Sequence, residues 1–340
     1  MASQRSSRAL PVRPSPPPRL VAALTVAAAA AALVAGARAG PAVTPTVVTA
    51  QQPRHVQALA ERVALPDAPS DLAAGAGSMW VAAKGAVLQL SRSGDIVRAI
   101  RLPRAAHRQI ALGAGAIWVT DEHRGDVERV NLTDGWTGAR VHVGTKPVAL
   151  AVARDVWVLR WHHGVARVLR IDPRRMRITG SWRLGGLTPR PILLAAGRTA
   201  WTNDGGRLVS FGESRVGTSF LGSVIGLTRA GDELWASVST DHRVSELVAI
   251  EASSGSRGER VTLDRGESGP VAVLGGRTWV AQGDLSPGPH RIVIVDRSRL
   301  IGEATSPSPV AAMASGLGAV WTADADGREL TRFTLPTASG

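Results

Sequence analysis

Seven tryptophans stand in one recurring local setting, and that repeat restricts the possible folds more than anything else in the chain. They lie in Met79-Trp80-Val81, Ile117-Trp118-Val119, Val156-Trp157-Val158, Ala200-Trp201-Thr202, Leu234-Trp235-Ala236, Thr278-Trp279-Val280 and Val320-Trp321-Thr322. Their spacings are 38, 39, 44, 34, 44 and 42 residues. A period of about forty residues is the length of one four-stranded blade set around an axis. Every unit reads alike. A proline often opens it (Pro69, Pro147, Pro191, Pro270, Pro309), followed by a short apolar run such as Val148-Ala149-Leu150-Ala151-Val152. A Gly-rich or charged turn leads to the Trp strand. A second turn leads to a more strictly alternating strand, as in Val165-Ala166-Arg167-Val168-Leu169-Arg170-Ile171, and a polar strand such as 95–102 closes the unit.

This gradient has a physical cause. Strands nearest an axis are covered on both faces and read as continuous apolar runs, whereas outer strands touch water and turn polar. Blades diverge outward, so a large ring on the second strand fills the widening wedge. The expectation is an all-β, seven-bladed β-propeller of four-stranded antiparallel blades. The last unit offers strands at 309–315, 319–323 and 328–335 but no fourth. Residues 56–65, ahead of the first inner strand, look like an outer strand without a blade. They are expected to pair with 328–335, so that the N-terminal strand completes the last blade and no sheet edge is left open.

Composition narrows the function. The chain has 340 residues, 44% hydrophobic and 20% charged, enough for a sizeable core. It has no Cys, which excludes disulfides, thiol catalysis and Cys-ligated zinc. Formal net charge is +13, but Arg5, Arg8, Arg13, Arg19 and Arg38 precede residue 40, and the first acid is Glu61. The charge is almost all arginine, with Lys84 and Lys146 as the lysines, and no base-stacking pattern accompanies it, so no nucleic acid partner is expected.

Residues 1–19 are basic and Pro-rich, and an uncharged Ala-rich run from Leu20 to Ala37 follows, ending in Ala37-Arg38-Ala39. This fits a cleaved signal peptide over 1–39, or an N-terminal membrane anchor through 20–37. Either places the remainder outside the cytoplasm, in the cell envelope or secreted. Residues 40–55 read as a flexible linker, 56–335 as the propeller and 336–340 as a tail.

The repeat resembles the extracytoplasmic propellers of the YVTN/YncE type and the related virginiamycin B lyase-like group, over about residues 56–335. The residues carrying it are the opening Pro, the apolar inner strand, the Gly-x-Gly turn, the Trp-Val pair and a third strand ending "V-x-R-I-D". That ending stands here as Val168-Leu169-Arg170-Ile171-Asp172-Pro173 and, more loosely, as Val127-Glu128-Arg129-Val130-Asn131. The lyase resemblance implies a His/Glu centre with magnesium. No matching cluster aligns in this chain, so no catalytic residue is carried over.

Gly75-x-Gly77, Gly113-x-Gly115 and Gly316-x-Gly318 lie five and three residues before a Trp. A phosphate loop needs a strand before it and a helix after it; here a strand follows, and the motif reads as a hairpin turn. Asp324-x-Asp326-Gly327 lacks the carboxylate of a calcium loop at its twelfth position, which is Phe333, and reads as an Asp-Gly turn. Unusual polar residues gather in the turns between second and third strands: Asp121-Glu122-His123, His162-His163, Asn203-Asp204, Asp241-His242, Asp284 with His290, and Asp324 with Asp326. The connections between blades share that face and add His107, Lys146, Arg190, Asp264, Arg265 and Glu267. The candidate ligand-binding residues are therefore His107, Asp121, His123, Lys146, His162, His163, Arg190, Asp241, His242, Arg265, Glu267 and His290. Polar turns are also the default of any hairpin. Adjacent strand residues point to opposite faces, so His162 and His163 would share a metal only from a loop conformation, and no metal site is predicted.

The expected function is a non-enzymatic binding module for a protein, peptide or small ligand, with no cofactor. The alternative is a lyase or hydrolase with a His/acid site at the channel mouth, for which magnesium enters. That alternative requires two or more of His107, His123, His162, His163, His242 and Glu267 to converge on one reacting atom.

Overall fold

The computed structural model describes residues 47–48, 56–102, 109–136, 138–186, 191–212, 215–220, 222–240, 244–264, 266–283, 288–325 and 327–336. The expected export segment, most of the linker and the tail from 337 onward lie outside these.

Seven antiparallel sheets follow one another in chain order. Blade 1 holds Pro69–Gly75, Ser78–Ala83, Ala86–Leu90 and Ile96–Arg101, and blade 2 holds Ile110–Gly113, Ala116–Asp121, Asp126–Asn131 and Ala139–His142. Blade 3 comprises Pro147–Val152, Val156–His162, Val165–Asp172 and Arg177–Arg183, and blade 4 Leu193–Ala196, Thr199–Asp204, Arg207–Phe211 and Gly217–Ser219. Blade 5 comprises Ser223–Ala230, Glu233–Ser239, Val244–Glu251 and Arg257–Asp264, and blade 6 Ser268–Leu274, Arg277–Gln282, His290–Asp296 and Arg299–Ser306. Blade 7 is built from Val310–Gly316, Ala319–Asp324, Glu329–Thr334 and, from the other end of the chain, Leu59–Ala64. Each inner strand neighbours the next, and that of blade 7 meets that of blade 1, closing a ring. The fold is a seven-bladed β-propeller.

Seven apolar clusters fill the seven gaps between blades, and each holds one blade tryptophan. Trp118, for example, packs with Leu150, Val156 and Val158 of blade 3. All seven rings are buried, Trp235 the least so at 5% exposed. The wedge geometry dictates this: a ring on the second strand sits where the gap has become wide enough to need it.

The spacing between glycine and tryptophan has two separate origins. Gly77, Gly115 and Gly318 adopt φ of 71°, 74° and 77°, and Ala76, Ala114 and Leu317 before them are also left-handed at 51°, 50° and 58°. Two consecutive positive φ values make the two-residue hairpin turn whose twist suits antiparallel strands. The earlier glycines serve packing instead. A Cβ on Gly75 would lie 2.9 Å from a Leu112 methyl, one on Gly113 would lie 2.6 Å from Val152, and one on Gly316 would strike Ala74. Each of these neighbours belongs to the next inner strand, so a glycine there lets blades approach closely at the axis.

Ring closure differs from the expectation in one respect. Leu59–Ala64 pairs antiparallel with Glu329–Thr334, from Leu59 opposite Thr334 to Ala64 opposite Glu329, and Arg332 is paired with Glu61. Val56–Gln57, however, runs parallel to Gly302–Glu303 on the outer strand of blade 6. Val47–Val48 likewise lies parallel to Arg260–Val261 on blade 5. A chain reaching blade 7 from outside passes the outer edges of its neighbours, where unpaired N–H and C=O groups accept it.

Candidate functional site

In an antiparallel blade, the turn between second and third strands and the connection to the next blade fall at the same end, because strand direction alternates. The opposite end carries the hairpins just described. The two ends differ in chemistry: the hairpins of blades 1, 2, 6 and 7 share a turn of two consecutive left-handed residues, whereas the turn-and-connection face changes from blade to blade.

Blades 2 and 3 form its richest corner. Asp121 Oδ1 accepts the N–H groups of His123 and Arg124 at 3.1 and 3.1 Å, which shapes the turn and leaves both side chains in solvent. Asp121 thus serves the turn itself. Gly125, left-handed, accepts the N–H of Val143 at 2.7 Å and ties this turn to the connection leading into blade 3. On that connection Lys146 is left-handed and exposed, and its carbonyl accepts Trp161 N–H at 3.0 Å. His162 pairs with Val165 across a two-residue turn made by His163 and Gly164, both at positive φ. That conformation brings the two imidazoles to 4.0 Å between centroids, edge to face. Thr145 Oγ1 contacts His162 Nδ1. Desolvation by the surrounding protein, then the neighbouring His163 and Arg160, hold the pKa of the exposed His162 below the ordinary imidazole value.

His142 belongs to the same corner and was not among the sequence candidates. It is the last residue of the outer strand of blade 2, whereas the sequence candidates are drawn only from turns and connections. Its Nδ1 lies 2.9 Å from Asp126 Oδ1, opposite it in the ladder. The remaining described candidates sit across the ring. Glu267, through its carbonyl, accepts Gly283 N–H at 2.9 Å, and His290, buried at the start of its strand, packs on Gly283. The candidates thus divide between two corners. His107, Arg190, Asp241, His242 and Arg265 lie outside the described residues. Among the described residues no group of three His, Asp or Glu is arranged to hold a metal ion.

Between the corners lies a cavity of about 870 Å³ to which all seven blades contribute. Its wall is the opening end of the inner strands, so it is a funnel into the axis from the turn-and-connection face. Leu72, Ile110, Leu150, Ile192, Val271 and Met313 make most of it apolar. Ser70, Asp71, Lys84 and Gln109 place polarity on the side of blades 1 and 2. Asp71 was missed by the sequence reading, though it interrupts an apolar run. Its Oδ1 accepts Leu72 N–H and its Oδ2 accepts Ile110 N–H of blade 2, each at 2.9 Å. Burial pushes its pKa up to about 7, and these two N–H bonds work against that rise.

No profile of a known protein family matches the chain, and no curated protein matches it. Solved structures do. A chain of Kuenenia stuttgartiensis hydrazine synthase aligns at 11% identity and TM-score 0.63, covering 81% of this chain and 97% of that one. A chain of a mitotic checkpoint complex aligns at 14% identity and TM-score 0.65, covering 92% and 100%. The β-propeller domain of Myceliophteria thermophila Cps50 (Swd1) aligns at 9% identity and TM-score 0.62, covering 82% and 100%. At such identities the likeness is one of architecture, and what it establishes is the β-propeller fold of this chain.

Proposed function

We propose that the chain is an exported binding module of the YVTN/YncE-like kind, recognising a protein, peptide or small ligand on its turn-and-connection face. The observation that carries this reading is the funnel of about 870 Å³, shared by all seven blades and opening on that face. Its volume lies in the range of small-molecule sites. The side chains around it vary between blades, while on the other face four of the seven inner hairpins share one two-residue left-handed turn. Export is supported by the basic, then Ala-rich, start of the chain ending in Ala37-Arg38-Ala39.

The test places a photo-crosslinking residue at His163 and, separately, at Ala76 on the opposite face, in the full chain exposed to envelope and medium fractions. Binding of the captured partner is then measured with purified components, using a Lys146→Ala/His162→Ala/His163→Ala variant. Capture confined to position 163, with affinity lost in the variant, supports the reading. Equal capture at both positions, or unchanged affinity, overturns it.

The catalytic alternative, a lyase-like propeller, draws support from the His142–Asp126 pair, where a carboxylate orients an exposed imidazole as it would a general base. Magnesium-dependent stabilisation in a thermal melt, lost in His142→Ala, would favour it.

A further inference from the structure

Asp71 occupies an inner-strand position facing Ala82, the second residue after Trp80. At the matching position the other blades carry Gln109, Ala149, Ile192, Gly226, Pro270 and Ala312, all lining the funnel. One ring of seven positions therefore holds a single carboxylate. Each carboxylate oxygen already takes one backbone N–H, which anchors it against the seam between blades 1 and 2. An ionised carboxylate oxygen accepts more than one such bond, so acceptor capacity is left on the funnel side.

The strands packed on Asp71 supply no counter-charge. Among the described residues, Ser78–Ala83, Ile110–Gly113 and Val310–Gly316 contain no titratable side chain. Besides Asp71, Lys84 is the charged group on the described funnel wall, and it is exposed on a turn at the rim. Water screens an exposed ammonium, whereas a carboxylate set in an apolar wall gains from a cation brought to it.

We propose that the funnel binds small apolar amines, with the ammonium group against the Asp71 carboxylate and the apolar body against Leu150, Ile192, Val271 and Met313 of the other inner strands. This rests on the binding-module reading and names its ligand class. Recognition uses one ion pair with shared N–H···O bonds, and the wall opposite discriminates by size and hydrophobicity rather than by hydrogen bonding.

The experiment titrates the full chain by calorimetry with three matched probes: 4-phenylbutylamine, 4-phenylbutanol and 4-phenylbutyrate. The expected result is one amine per chain, bound at least about tenfold tighter than the alcohol, with the carboxylate weakest. Because the ion pair needs Asp71 ionised, amine affinity should fall about tenfold per pH unit below pH 6, with a proton released on binding, while the alcohol shows no such trend. Asp71→Asn should remove the preference for amine over alcohol. Should that variant fail to fold, the pH dependence of the wild-type chain decides the matter alone. Equal binding of amine and alcohol overturns the amine proposal and leaves the binding module standing. Preference for the carboxylate overturns it in favour of Lys84. Binding of none of the three overturns it as well, and the crosslinking at position 163 then reports separately on the binding module.

Discussion

The indole Nε1 of Trp118 donates to the carbonyl of Gly113 at 3.1 Å, joining the blade's defining ring to the end of its own inner strand. Trp80 with Gly75 and Trp321 with Gly316 repeat the bond at 3.2 and 3.2 Å. Trp157 and Trp279 follow Val152 and Leu274 at that spacing, and their Nε1 atoms are buried without a partner. Trp118→Ala should destabilise by roughly 3–5 kcal/mol through lost packing. Trp118→Phe should cost about 1 kcal/mol more than Trp157→Phe, because only the former breaks a hydrogen bond. Urea denaturation of the three variants measures both differences.

The two glycines of one turn should respond differently to alanine. A Cβ on Gly113 would press on Val152 at 2.6 Å, an overpacking of roughly 1–3 kcal/mol. One on Gly115 meets nothing within 4 Å, and its penalty is the left-handed backbone alone, about 1 kcal/mol. Adding Val152→Ala should recover part of the loss at Gly113 and none at Gly115. A double-mutant cycle reads this coupling.

Removing the N-terminal strand should open the ring. Deletion of residues 1–65 leaves Glu329–Thr334 as the unpaired edge of blade 7 and removes the Glu61–Arg332 pair. The truncated chain should lose its single cooperative melt and self-associate through the exposed edge. Calorimetry and size-exclusion chromatography with light scattering would show both, and a monomer of unchanged melting temperature would contradict the closure.

Asp71 makes stability depend on pH in an unusual direction. Burial keeps its carboxyl protonated in the folded chain up to about pH 7, against 3.8 for an ordinary aspartate. Between those limits the folded state binds more protons than the unfolded one, so this group's contribution to stability falls as pH rises from about 4 to about 7 and is flat above. Asp71→Asn should flatten that segment, with the wild type losing on the order of 2–4 kcal/mol relative to the variant across it. The variant carries its own pH-independent penalty, since an amide oxygen replaces two acceptors facing Leu72 and Ile110.

His162 should titrate below an ordinary histidine, because of its setting and the neighbouring His163 and Arg160. His163→Ala should raise its midpoint without restoring it fully, since desolvation is the larger cause. Imidazole proton shifts followed by NMR against pH give the midpoint in each chain.

Much of the propeller was legible beforehand because its signals are local. The period of the tryptophans, the glycines before them and the apolar inner runs all lie within about a dozen residues of one another, and antiparallel order alone assigns turns to faces. The missing fourth strand of the last unit even predicted that residues 56–65 would complete it, and Leu59–Ala64 of that stretch does. The placement of Val56–Gln57 on blade 6 was not legible, since two residues carry no register signal of their own. Nor was the role of Asp121, whose carboxylate is spent on its own turn, or the position of His142 beside Asp126.

The sequence alone determined the number of blades, the order of their strands and the face that gathers varied side chains, because each repeat writes its strands and turns in its own short stretch of chain. Only the tertiary structure decided that Asp71 reaches Ile110 of the next blade and stands as the one carboxylate in a ring of seven positions around an apolar funnel. That relationship depends on how closely neighbouring blades pack at the axis, and packing between segments some forty residues apart leaves no periodic mark on the chain.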